Sequence, residues 1–307
     1  MKWNDIITQV RDRLQEESET FFSDDRLMDI ARRVQMEIAT VAECLETSDI
    51  WNTTADTIEY DMPEDCLNVQ AAACDDYPLS QVDFRRVHAK SYPVGQPACY
   101  YIFGNRIGLY PAPSGAVSLK LWYSQRPPLG AMTITHNGSS GATAATVEVQ
   151  DSALVLVITG GTNAGTNTFQ FTSDDYSTIG LLAPAINALG KGWTAVRISG
   201  CREDEPSASL EVAEAASAYQ KTITLDCEVK LPEQFQFLIE LGTIYRALWK
   251  DTEYQAGEVY RREYVDRLEA LRRLYARRNS RSGTRQLRDA YRASTPGAAA
   301  GIRVFIP

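Results

Sequence analysis

The sequence predicts an α+β protein, and three observations carry that expectation. Apolar residues recur at helical spacing near both ends of the chain. Strand-like alternation is clearest between Tyr100 and Tyr123. Residues 131–228 shift to a Thr, Gly, Ala, Ser and Asn-rich composition with few charges. The expected architecture is a helical bundle from residues 1–49 and 230–279 and a small antiparallel β-sheet or barrel from 50–130. An inserted, Ig-like β-sandwich domain is expected over 131–228, entering at the loop after Pro128, and an extended C-terminal arm over 280–307.

Residues 3–17 read as the first helix, with Trp3, Ile7, Val10 and Leu14 on one face. Phe21-Phe22 falls in the connection. Ser23 suits an N-cap, and Asp24-Asp25 place acids where the helix dipole favours them. That pair therefore reads as capping rather than as acid/base or metal chemistry. The second helix runs to about Glu46 along Leu27, Ile30, Val34, Ile38, Val41 and Leu45. The two form a helical hairpin.

From Ile50 to Tyr92 short strands alternate with turns: Trp51–Thr54, Thr57–Tyr60 and Leu67–Ala71, with Pro63 as a break. Asp75-Asp76 lacks a catalytic partner in sequence and reads as turn chemistry. Residues 83–88 suit a short helix, with His88 a surface or cap histidine. Tyr100–Phe103, Gly104-Asn105 and Arg106–Tyr110 spell a hairpin with a type II′ turn. Pro111 to Gly115 is a loop. Val117, Leu119, Leu121 and Tyr123 then give a third strand with one buried face, so a three-stranded meander is expected.

Within 131–228, strands are expected at Met132–Thr135, Thr146–Val149, Ala153–Thr159, Thr168–Phe171, Ala195–Ser199 and Tyr219–Leu225, with one helix over Ser177–Leu189 crossed by Pro184. The Gly160–Gly165 loop has no Lys-Ser/Thr behind it and is no P-loop. Asp174-Asp175 lacks a following ligand series, and residues 201–205 read as a solvated acidic loop.

Helix returns at Pro232. Phe235, Leu238, Ile239, Tyr245 and Trp249 mark one face, and Phe237, Leu241, Ile244 and Leu248 another. A last helix, weakened at its start by Gly257, runs to about Asn279 along Tyr260, Tyr264, Leu268, Leu271 and Tyr275. A Ser, Gly and Ala-rich linker then leads to Ile302-Arg303-Val304-Phe305-Ile306-Pro307. That β-prone hexamer is too apolar for a disordered tail and suits addition to a neighbour's sheet edge.

The net charge of −9 is unevenly spread. Residues 270–292 hold eight arginines against Asp289 alone, about +7, while residues 1–269 stand near −17. An acidic body with a basic tail asks for a partner. No apolar run approaches membrane-spanning length, and the amphipathic start is no signal peptide, so a cytosolic origin and no membrane partner are expected. Six cysteines without a CxxC read as reduced, mostly buried hydrophobes, and with only two histidines no His-rich metal site is expected.

Several words of the sequence, in order, carry a resemblance. Tyr60-Asp61-Met62-Pro63-Glu64-Asp65-Cys66-Leu67 leads toward the sheet. Gly95-Gln96-Pro97-Ala98-Cys99-Tyr100-Tyr101 enters the hairpin, which ends in Gly108-Leu109-Tyr110-Pro111-Ala112-Pro113. The strand ending in Trp122-Tyr123 runs on to Pro127-Pro128. Together, with helices on both sides, they resemble the head-to-tail adaptor proteins of tailed bacteriophages, the neck rings beneath the portal in short-tailed phages and their relatives. The resemblance covers roughly residues 1–128 and 230–290. It implies a structural virion protein of the neck, assembled in the host cytoplasm, in a ring of about twelve copies matching the portal. Its expected partners are the portal protein, further copies of itself, tail nozzle or tail fibre proteins, and DNA that passes without sequence-specific binding. It also implies a C-terminal arm gripping the portal, with Arg285, Arg288, Arg292, Ile302, Val304, Phe305 and Ile306 as contact residues for portal or neighbouring subunit.

Against this stand three other readings. A carbohydrate- or ligand-binding role for 131–228 requires an exposed aromatic cluster drawn from Trp193, Tyr176, Phe169, Phe171 and Tyr219. Nucleic-acid binding through the arginines lacks interleaved aromatics beyond Tyr275 and Tyr291. No nucleophile elbow, zinc triad, phosphate loop or carboxylate pair marks an enzyme, so no catalytic, cofactor or metal residues are expected.

Overall fold

The computed structural model describes residues 2–15, 22–88, 93–250 and 253–281, side chains excepted at 86, 88 and 277–281. The seven expected contact residues, Arg285, Arg288, Arg292, Ile302, Val304, Phe305 and Ile306, lie outside the described residues, as does the His88 side chain. The fold is mixed α+β, with helices α1 (Trp3–Leu14), α2 (Asp24–Ala42), α3 (Phe84–His88), α4 (Ile179–Ala188), α5 (Phe237–Lys250) and α6 (Tyr254–Arg281).

The expected stripes bury together. Ile7 and Val10 of α1, Leu27, Val34 and Ile38 of α2, Leu238 and Ile244 of α5, and Tyr264, Leu271 and Tyr275 of α6 share one core. The two ends of the chain therefore fold as one bundle. The close approach of α2 and α5 depends on Gly242, where a Cβ would lie 2.4 Å from Val34 Cγ1. Gly257, read from sequence as a weak point, receives the Trp249 indole, 2.4 Å from where a Cβ would stand. Two boundaries move. The second helix stops at Ala42, because Glu43 adopts a left-handed φ of 48° and its N–H closes on the Ala39 carbonyl at 2.9 Å. Leu45, expected on the helical stripe, is buried in the connection instead, and a strand begins at Glu46.

The three-stranded meander does not form. Tyr100–Phe103 and Arg106–Tyr110 pair as the expected hairpin, with Gly104 at φ 59°, but their sheet is completed by Glu59–Asp61 and Ser80–Gln81. Ser118–Gln125 crosses to a second sheet, between Glu46–Asn52 and Cys66–Cys74. The prolines explain the divergence. Pro111 and Pro113 offer no N–H to continue the hairpin ladder, and Ala112–Pro113 instead pairs parallel with Val94–Gly95. The inward faces of the two sheets meet, placing Tyr100, Ile107 and Leu109 against Leu119, Leu121 and Tyr123. Neither sheet closes into a barrel. Asp75-Asp76 forms the expected turn, both residues at positive φ (46° and 68°) as a type I′ hairpin requires.

Residues 131–227 hold a core of their own. One sheet orders Trp193–Arg197, Met132–His136 and Ile223–Leu225. The other orders Gly165–Gln170, Ala153–Thr159, Ala144–Gln150 and Ala213–Ser217. Helix α4 buries Ile179, Leu182 and Ile186 in the same core, so this is two antiparallel sheets with a helix built in. The Gly160–Gly165 stretch is a tight connection, since a Cβ on Gly161 would sit 2.1 Å from the Ser140 carbonyl oxygen. The chain enters and leaves side by side: the Ala131 N–H donates to the Leu225 carbonyl at 2.8 Å.

Candidate functional site

The chemistry-bearing side chains of the described residues concentrate where the 131–227 core meets the other two cores. Trp193–Arg197 ends in a turn in which the Cys201 N–H bonds to the Ile198 carbonyl and Gly200 takes φ 87°. That turn projects Arg202 onto the sheets. Its Nη1 donates to the Tyr123 hydroxyl at 2.7 Å, and its guanidinium grips Asp204 at 2.8 and 3.0 Å and approaches Asp49 at 3.3 Å. The Tyr123 hydroxyl in turn donates to Asp65 Oδ1 at 2.9 Å. Burial pushes the Asp65 carboxyl above the usual carboxylate range, against the Tyr123 hydrogen bond and the Arg202 charge, which favour ionisation. The Tyr123 phenol is also pushed up, by burial and by Asp65. Arg197 adds a second tie, to Glu64 at 3.4 Å and Glu203 at 3.2 Å, and donates to the Cys201 carbonyl. The acidic loop expected to be merely solvated is therefore a joint.

A second joint faces the bundle. Glu211 accepts from the Trp3 and Asn4 backbone N–H groups at 2.9 and 3.2 Å, satisfying two orphan donors of α1. The Trp3 indole donates to the Cys227 carbonyl at 2.9 Å. Asp226 takes a bidentate pair from Arg32 at 2.8 and 2.5 Å. Burial raises both the Glu211 and Asp226 carboxyls, with Arg32 opposing at Asp226. No sequence pattern announced either joint.

Other expected positions have structural uses. Asp24 pairs with Arg11 at 2.5 Å, bridging α1 and α2. His136 is fully buried, its Nδ1 accepting from the Gly138 N–H and its Nε2 donating to the Lys191 carbonyl, both at 3.1 Å. The six cysteines are free thiols; Cys44, Cys74, Cys201 and Cys227 are buried. Among the described residues no group of His, Cys, Asp and Glu could hold a metal ion, and no helix is long and apolar enough to cross a membrane. The five aromatics required by the carbohydrate reading lie inside or against the 131–227 core, with Trp193 packed edge-on to His136 and Phe169 on Tyr176. They form no exposed cluster.

A family model described as SU10 adaptor protein matches residues 1–160. The match takes in α1, α2, both facing sheets and the first strands of the 131–227 core, running past Pro128, where the sequence resemblance stopped. It does not include residues 230–290. No curated protein matches the chain.

Proposed function

The chain belongs to the SU10 adaptor protein family, a phage adaptor family with a structural role in the virion neck, and on that premise we propose that copies of it form a ring between portal and tail and line a conduit for DNA. The observation that carries this reading is the family match across the helical hairpin and the two facing sheets. An adaptor family implies contact with portal and tail components. In our reading the ring has about twelve copies, a head-to-tail contact closing on itself. The acidic body, near −17 over residues 1–269, suits a lumen that lets phosphate slide, because retention on DNA comes from Lys and Arg neutralising phosphates. Arg285, Arg288, Arg292, Ile302, Val304, Phe305 and Ile306 form the arm that contacts portal or neighbouring subunit. Residues 131–228 are an inserted unit, a reading supported by their separate core and adjacent entry and exit.

Electron microscopy of the chain mixed with its candidate portal, full-length and lacking residues 294–307, tests the proposal. A ring docked on the portal that disappears on truncation is the expected result. A ring that survives truncation moves the contact to the helices. A folded chain that never associates with a portal removes the ring and the arm together.

A further inference from the structure

The joint between the 197–205 turn and the sheets encloses an open cleft of about 420 Å³. Five carboxylates line it (Asp49, Glu64, Asp65, Glu203 and Asp204) against two arginines, Arg197 and Arg202. Both arginines are already engaged, Arg202 with Asp204 and Asp49, and Arg197 with Glu203 and Glu64. Asp65 is only 2% exposed, and among the described residues its Oδ2 has no hydrogen-bond partner; Arg202 Nη1 stands 3.8 Å away, within ion-pair reach but too far for a hydrogen bond. A buried carboxylate oxygen without a donor is costly, and a charged donor placed there would relieve it.

The chain carries such donors in the sequence that follows α6. Helix α6 runs from Gly257 against Trp249, past Tyr264 near Gly242, to Tyr275 against Phe235. It thus returns toward the segment that leaves the 131–227 core, where Val229 and Leu231 are buried. Beyond α6 come Arg285, Arg288 and Arg292, with Asp289 as the sole acid of that run. At roughly 3.3 Å per extended residue, these arginines reach about 13 to 36 Å from the end of α6.

We propose that this cleft is the docking site for the chain's own arginine-rich segment, residues 281–292, one of whose guanidinium groups donates to Asp65 and the neighbouring Glu64. A planar guanidinium fork matches two carboxylate acceptors better than an ammonium does. The segment is therefore held on the body of the free chain and must be released for any other contact it makes.

Limited trypsin digestion of the full chain, with cut sites read by mass spectrometry, tests this without a portal, so its failure leaves the adaptor reading standing. Cleavage after Arg285 and Arg288 is expected to be about 10-fold faster in Glu64→Gln/Asp65→Asn than in the parent, and about 0.5 M salt should bring the parent to the same rate. Equal rates in parent and variant overturn the proposal. If that variant loses its circular-dichroism melt, Glu64→Gln/Glu203→Gln keeps Asp65 and tests the same cleft. A labelled synthetic peptide of residues 281–293 is then titrated onto full-length Arg285→Gln/Arg288→Gln/Arg292→Gln. Binding that falls about 10-fold when Glu64→Gln/Asp65→Asn is added supports the site. Absent binding, or binding indifferent to the cleft, overturns it, and protection that grows with protein concentration overturns the own-chain assignment in favour of a second copy.

Discussion

Asp65 is a residue whose surroundings oppose one another. Burial disfavours its charge, while the Tyr123 hydroxyl and Arg202 favour it, and burial prevails. Its folded pKa therefore lies above its unfolded value. Such a group contributes stability below the unfolded pKa of about 4 and loses that contribution as pH rises through the folded pKa. Asparagine at 65 keeps the acceptor for Tyr123 and carries no charge, so it has no such pH dependence. Asp65→Asn is expected to gain on the parent in melting temperature as pH rises from about 4.5 to 7.5. A gap that moves against asparagine with rising pH would mean that guanidinium groups at Asp65, whether of Arg202 or of the docked segment, attract more than burial costs. The local sequence marks Asp65 only as one letter of the Tyr60–Leu67 word that carries the resemblance, with no role attached to it. Tyr123 lies 58 residues from Asp65, and Arg202 a further 79 beyond Tyr123. A polar network assembled across such separations leaves no period, and the words that hold Asp65 and Tyr123 do not state that the two residues meet.

At the scale of elements, more was legible. The stripes of α1, α2, α5 and α6 were readable because each helix buries one face at fixed spacing, and the Asp75-Asp76 and Gly104-Asn105 turns because turn geometry selects residue type locally. The pairing of Ser118–Gln125 was not readable. Alternation tells which face of a strand is buried, not which strand lies beside it, and here the partners sit 44 or more positions away in chain order. Helix ends fall between these cases. At the start of α1 the Lys2 N–H donates locally to Asp5 at 3.0 Å, but the next donors are met by Glu211, 208 residues away. Glu211→Ala should therefore act as a lost cap and lower stability by about 0.5–2 kcal/mol. Denaturant unfolding measures this, and Glu211→Gln should recover part of the loss by keeping one acceptor. If alanine and glutamine match the parent, water satisfies α1 equally well. Gly242→Ala belongs at this scale too. The α2–α5 approach leaves no room for a methyl group, so overpacking of about 1–3 kcal/mol is expected from the same measurement.

The described residues form three cores tied by polar contacts, and the ties decide how independently the parts behave. The 131–227 unit holds its own core, which argues for autonomous folding. Yet Glu211, Asp226 and Cys227 serve the bundle, while Arg197 and Arg202 serve the sheets. Replacing residues 129–228 by a short linker from Pro128 to Val229 separates the two views. The excision would leave the Trp3 and Asn4 N–H groups, the Trp3 indole and the Arg32 guanidinium without these partners. Net hydrogen bonds are worth about 1 kcal/mol each and those to charged groups about 1.5–3. Solvent will replace part of that at the newly opened surface, so a loss of about 2–4 kcal/mol for the remaining bundle is expected. Calorimetry of the full chain and the excised chain reads it directly. A bundle transition that falls in temperature would mean that the unit braces the helices as well as being carried by them. An unchanged transition would mean that the joints orient the unit without contributing to the stability of its scaffold, and the buried charges at Glu211 and Asp226 would then only repay their own desolvation.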